Sequence, residues 1–402
     1  MTWSLLLCVP LCTAAQPPHI ANPPDTPTPA ALEPHLRVAH VDLDYVYDPD
    51  PAQTRRNADL LVQRIINLGV NTVFLQAFAD PTGDGLVRAL YFPNQHLPMR
   101  ADLFKPVSER LRSEAGVIVF AWMPVLAFDL QKDLPRVLRW QHRKSTDTDT
   151  DTDTDTDTDT DTDTDTQQYQ RLSPFDADAR RAIEEIYEDL SGHARLDGLL
   201  FHDDALLGDF EDASAAALAV YVAHGLPGTL TDLHSDTRNF QRWTRLKTRT
   251  LTQFTLRLRD RAQTKQTQRI LTARNIYARP VLDPESRAWF SQDFDDFLSH
   301  YDIVAVMAMP LMEGITPQAS AAWIDTLVDA VSTHPQGPAK TLFELQAKDW
   351  SQPGSPAVEP SLFEHWLIRL QAKGVRHIGY YPDDFHRNEP VLERVRPYLT
   401  AP

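Results

Sequence analysis

The sequence predicts a (β/α)8 TIM barrel with insertions. Eight strand-like apolar runs recur from Leu36 onward, each followed by a polar turn and a segment of helical period. Several runs are apolar almost without interruption, as strands covered on both faces are. The glycine-rich phosphate loop that an open doubly wound sheet would use is missing from the chain, so the closed barrel is the better account.

The first run, Leu36–Tyr47, leads into a helix over Ala52–Leu68, with Leu60, Leu61, Ile65 and Leu68 at helical spacing. Gly69 stops that helix and a second run, Asn71–Phe78, follows; Lys373-Gly374-Val375 repeats the punctuation late in the chain. The remaining strands are expected at Val117–Leu126, Gly198–Leu206, Arg269–Tyr277, Tyr301–Pro310, Lys340–Ala347 and Val375–Tyr381. Helices are expected at Asp102–Ala115, Asp176–Ser191, Arg242–Ala262, Ser286–Ser299, Pro317–Ser332, Ser361–Lys373 and Glu389–Leu399. Residues 1–15 read as a signal peptide, with a short apolar core and Thr13-Ala14-Ala15 before the cut, although no Lys or Arg precedes that core. Residues 16–35 are rich in Pro, Thr and Ala and read as a disordered linker to the domain at 36–402. Between the third strand and third helix, Thr and Asp alternate from 146 to 166 with no apolar face to bury, so a disordered acidic loop is expected.

Composition narrows the function. The chain has 402 residues, 42% of them hydrophobic, enough to bury a large core. Its formal charge is −17, of which the Thr-Asp tract supplies ten aspartates; the rest of the chain stands at −7. That balance suits a neutral or cationic substrate and no nucleic acid, whose phosphates call for Lys and Arg. Both cysteines, Cys8 and Cys12, fall in the first fifteen residues, so a processed chain would have neither disulfides nor thiol chemistry. Without HExxH, a Cys cluster or a dense His set, no metal and no cofactor is expected. The leader points to a periplasmic or secreted protein, and outer-membrane association is compatible with it.

In a barrel, functional side chains gather at the C-terminal strand ends. The first strand ends with Asp42 and Asp44 on one face, then Tyr47; the second ends at Gln76 and the third at Trp122. After the fourth strand come His202, Asp203, Asp204 and Asp209, part of a run of five carboxylates in ten positions. Such crowding is expensive in a cleft unless the acids do chemistry or meet a cation. The fifth strand offers Asn275, the seventh Glu344 and Gln346 with Trp350 beyond, and the eighth Tyr380, Tyr381 and Asp383. Carboxylates beside Trp and Tyr faces suit glycoside hydrolysis: one acid protonates the leaving oxygen, a second carboxylate acts on the sugar, and rings stack on it.

Ten segments in order carry a resemblance. HVDLDYVYDPDP from His40, NTVFLQAFADPTGDG from Asn71, ALYFPNQHLPMRADLF from Ala89, AWMPVLAF from Ala121 and QQYQRLSPFD from Gln167 are the first five. FHDDALLGDFEDAS from Phe201, LTARNIYARPVLDPESRAWF from Leu271, YDIVAVMAMPLMEG from Tyr301, TLFELQAKDW from Thr341 and HIGYYPDDF from His377 complete them. Together they resemble the C-terminal glycoside hydrolase domain of PgaB-type proteins, which process poly-β-1,6-N-acetyl-D-glucosamine. The resemblance implies a (β/α)8 hydrolase that cuts the partially de-N-acetylated polymer in an endo fashion, its acidic cleft facing the cationic glucosamine. It implies catalytic roles for Asp203, Asp204 and Asp209, with Asp203 first as the essential acid and Asp204 next, because neighbouring carboxylates push one pKa upward. Asp42, Asp44 and Glu344 would read the amine or support the acid, and Trp350, Tyr380 and Tyr381 would stack on sugar. The family's N-terminal deacetylase domain has no counterpart in this sequence, so no deacetylase activity is expected of it: either a separate deacetylase is a partner beside an outer-membrane export porin, or the true start of the gene lies upstream. The rival reading is a non-catalytic barrel that guides cationic polymer to that porin.

Overall fold

Each apolar run forms one parallel strand in the computed structural model of the chain, which describes residues 35–130, 133–140 and 170–400. The expected signal peptide, the linker up to residue 34 and the Thr-Asp tract lie outside the described residues. The strands are β1 (Arg37–Val41), β2 (Thr72–Gln76), β3 (Ile118–Met123) and β4 (Gly198–Phe201), then β5 (Leu271–Tyr277), β6 (Ile303–Ala308), β7 (Thr341–Gln346) and β8 (His377–Tyr381). Each pairs with the next, and β8 returns to β1 through Ala39 and Tyr380, closing the barrel.

Local chemistry sets the outer helices. Asp50 accepts the Ala52 N–H, Pro51 opens the helix Pro51–Leu68, and Gly69 ends it at φ +71°. Asp176 caps Ala177–His193 by accepting from Asp178 and Ala179, and Asp236 caps the long helix Thr237–Gln263. Two short helices, Ala215–Ala223 and Leu230–His234, fill the β4 connection ahead of that long one and have no counterpart among the expected elements.

The helix expected over Ser286–Ser299 is broken. Arg287–Phe290 ends at Ser291, which takes φ +49°, and Asp293 caps a new helix, Phe294–His300. The break turns polar side chains onto the barrel mouth: Ser291 Oγ donates to the Leu207 carbonyl, and Gln292 Oε1 accepts from the Tyr277 N–H.

Where the chain leaves the described region near Trp140 and re-enters at Gln170, its two ends are tied together. Val137 N–H donates to the Arg171 carbonyl at 2.9 Å and Ser173 N–H to the Pro135 carbonyl at 2.8 Å.

Inside the barrel, Phe74 and Phe120 pack with ring centroids 5.2 Å apart, and the functional side chains stand in the next layer toward the C-terminal rim. Gly198 permits this filling, because a Cβ built there would lie 2.3 Å from the buried Phe120 ring. Gly198→Ala should therefore destabilise the fold by about 1–3 kcal/mol, read as a lower denaturant midpoint. A midpoint equal to wild type would show that Phe120 has room to move.

Candidate active site

The top layer of the barrel carries a buried polar cluster. His40 on β1 and Glu344 on β7 meet at 2.7 Å (Nδ1 to Oε1), and Asn275 on β5 donates to Glu344 Oε2 at 2.9 Å. All three are almost fully buried. The Trp122 ring lies edge-on to His40 at 4.2 Å, 5.1 Å from His202 and 5.4 Å from Tyr381. Trp122 thus stands between the β4 rim, with its carboxylates, and the β8 rim.

On the β4 side, His202 Nε2 sits 2.9 Å from Asp203 Oδ1, and the Tyr277 hydroxyl donates to Asp203 Oδ2 at 2.9 Å. Burial pushes Asp203 upward, but the charge and hydrogen bond of His202 and the bond from Tyr277 outweigh it, so the carboxyl titrates below its usual range. Burial acts against His202 as a cation, yet Asp203 and Asp204 together raise it to about 10. At neutral pH the pair is imidazolium and carboxylate. The expectation that adjacency keeps a proton available is not met at Asp203, because the charge nearest to it is a cation.

Asp204 points the other way. Its carboxylate accepts the N–H groups of Val125, Leu126 and Ala127 at 2.6–3.0 Å and has no exposed surface. That use fastens the β4 loop to the β3 loop and leaves the group no face toward the cleft. Asp209 lies further along the loop, half-buried beside Lys247 and His234, with burial raising its pKa.

The rest of the acidic run is structural. Glu211 receives two bonds from buried Arg171 at 2.9 Å, and Asp212 accepts from the Leu138 and Ser214 backbone and from the Ser173 and Ser214 hydroxyls. The loop's carbonyls are taken as well. Arg274 donates to Ala205, Arg171 to Leu206, and Lys247 to Gly208 and Glu211. Of the five carboxylates, Asp204, Glu211 and Asp212 are engaged within the loop and its neighbours.

On the opposite side, Asp42 is 8% exposed and its Oδ1 has no hydrogen-bond partner; Oδ2 lies 3.5 Å from the Tyr381 hydroxyl. Burial, with Asp44 and Asp80 nearby, pushes Asp42 up to about 8. Asp44 is held by the Tyr91 hydroxyl at 2.6 Å, Arg100 at 2.9 Å and the Asp80 N–H at 2.8 Å. Gln76 accepts the Asp44 N–H, so it supports β1. Tyr47 carries the Arg100 guanidinium 4.4 Å above its ring.

Three expected contact residues are corrected. Tyr380 is fully buried and donates to Asp383, so it has no face for a sugar. Asp383 is likewise buried, bonded by Arg64 at 3.0 Å. Gln346 accepts from Leu311 and Met312 and donates to the Lys348 carbonyl, which shapes the loops and leaves nothing for substrate. Trp350, 37% exposed, does stack on Tyr381 at 5.9 Å and 20°, forming an open aromatic platform. His40 was legible from period two, since it shares the face of Asp42; Tyr277 had no signal beyond its place at a strand end. Among the described residues, no group of three or more His, Cys, Asp or Glu is placed to hold a metal ion.

A closed parallel barrel with a carboxylate, an imidazolium and aromatic rings at its C-terminal mouth defines a barrel glycoside hydrolase. The chain belongs to the family GHL13, hypothetical glycosyl hydrolase family 13, whose model matches residues 40–381. It is 45% identical over 368 residues to a poly-beta-1,6-N-acetyl-D-glucosamine N-deacetylase of Escherichia coli K12, covering 91% of this chain and 52% of that protein. The chain thus spans about half the length of this relative. The glycoside hydrolase domain of PgaB (BpsB) from Bordetella bronchiseptica superposes with a TM-score of 0.81 at 43% identity, covering 91% of this chain and 99% of that one. An α-L-fucosidase from Paenibacillus thiaminolyticus shares the fold alone, at TM-score 0.55 and 13% identity.

Asp204→Ala should cost about 3 kcal/mol or more, since three buried N–H groups would lose their acceptor. The loss is read by urea titration. Equal stability of Asp204→Ala and wild type would contradict the anchoring role.

Proposed function

We propose that this domain is an endo-acting glycosidase that cuts partially de-N-acetylated poly-β-1,6-N-acetyl-D-glucosamine, a biofilm exopolysaccharide. The observation that carries this reading is Asp203: a carboxylate held ionised by His202 and oriented by Tyr277 at the barrel mouth. Such a group can stabilise or bond to an anomeric carbon as positive charge develops there. The polymer fits by charge and shape. De-N-acetylation leaves a cationic amine on each glucosamine, and Asp44, Asp80 and Asp384 give this side of the mouth a negative field, the same field that raises Asp42. The Trp350–Tyr381 platform offers an apolar face for a pyranose ring. The E. coli relative is named for acting on this polymer, and the Bordetella domain is named a glycoside hydrolase. In this reading the protein is exported, works in the periplasm or outside the cell, and takes polymer that has already been partly de-N-acetylated, near an export porin.

Mass spectrometry of the polymer after incubation tests the reading. Wild type should release short oligomers, and Asp203→Asn should release fewer by a factor of about 10² or more while still binding polymer. Intact polymer with wild type, bound tightly, would identify a binding barrel instead. The acid limb of the rate gives a second check. His202→Gln removes the cation that opposes burial at Asp203, so that limb should move to higher pH. An unmoved limb would mean that Asp203 is not the group titrating there.

A further inference from the structure

The two sides of Trp122 are chemically unequal, and the inequality suggests a division of labour. Resting on the glycosidase reading above, we propose that Asp42 is the catalytic acid of this site, giving its proton to the departing sugar oxygen while the Asp203 carboxylate faces the anomeric carbon.

Geometry supports the assignment. Asp42 ends β1 at the barrel rim, more than nine-tenths buried, with Oδ1 unpartnered and therefore available to a ligand atom. Its charged neighbours are of one sign or already engaged. Asp44 from the turn after β1 takes Arg100 and Tyr91. Asp80, after β2, accepts the N–H groups of Asp84 and Gly85. Asp384 from the β8 loop faces Lys348 at 3.7 Å and Arg387 at 3.8 Å, and Lys348 also pairs with Glu389. Tyr45 and Tyr381 bring only hydroxyls to the same corner. Among the described residues, no cation pairs with Asp42. A carboxyl in that position keeps its proton through neutral pH, in line with its rise to about 8. Asp203, with its imidazolium, cannot hold one. Two carboxyls whose surroundings drive them apart in this way are the usual signature of a proton donor and its ionised counterpart.

The step balances as follows. The C1–O bond of the glycoside breaks with its electron pair remaining on oxygen, which takes the proton of Asp42 and leaves as an alcohol. Asp203 meets the positive charge at C1. Water then bonds to C1 through oxygen, and the proton it loses returns Asp42 to the acid form.

The experiment compares two leaving groups on one β-1,6-linked glucosamine-containing oligosaccharide: a sugar, which needs a proton to depart, and 2,4-dinitrophenolate, which does not. Asp42→Asn should slow cleavage of the sugar–sugar bond by about 10²–10⁴-fold and leave the first-turnover release of dinitrophenolate near wild type. Wild type alone gives a second readout: sugar–sugar cleavage should fall above about pH 8 while dinitrophenolate release should not. Equal losses with both leaving groups, a change confined to KM, or coincident pH profiles would overturn the assignment and make Asp42 a reader of the substrate amine. If wild type cleaves neither substrate, the glycosidase reading fails and takes this assignment with it.

Discussion

Negative charge taken out of water must be answered within hydrogen-bonding distance, and the mouth of this barrel is organised around that requirement. Arg171, Lys247 and Arg274 are buried beneath the β4 loop, and each donates to carbonyls of that loop. Lys247 is confined enough that burial lowers it to about 7, while its Nζ also lies 3.6 Å over the Trp243 ring. These cations are the scaffold on which Asp203 is held. Without them, Glu211 would lose its arginine and the carbonyls of Ala205, Leu206, Gly208 and Glu211 their donors.

The answers differ from acid to acid, and the differences define function. Asp204 is met by backbone N–H groups, Glu211 and Asp383 by arginine, and Asp44 by a tyrosine and an arginine together. Asp203 is met by a titratable imidazole. Only the last kind of partner leaves a carboxylate ionised yet turned to a cleft. The acids that look equivalent along the chain are therefore separated, by what stands opposite each one, into fasteners and an ionised carboxylate at the barrel mouth.

Periodicity made the barrel legible. All eight strands lie within the apolar runs, because parallel strands under helices must be apolar on both faces, and no competing pattern produces that. The helix over Ser286–Ser299 was misread because the polar contacts that interrupt it lie outside its own periodicity: Ser291 bonds Leu207 in the loop after β4, and Gln292 bonds Tyr277 at the end of β5. The site was legible as a region and less so as roles. Strand-end positions located Asp42, Asp203, Glu344 and Trp122. Yet the direction in which Asp204 points depends on N–H groups nearly eighty residues away, and the burial of Tyr380 on Arg64 and Asp383, information that local sequence does not hold.

The fastened ends at Val137 and Ser173 have a consequence for heredity. A coding repeat of identical two-residue units readily gains and loses copies during replication, and the Thr-Asp tract from 146 to 166 is such a repeat. Because its flanks are bonded to each other, a change in copy number falls between two joined points, and those bonds hold the spacing of β3 and β4. Lineages carrying alleles of unequal tract length would share one barrel and one catalytic mouth.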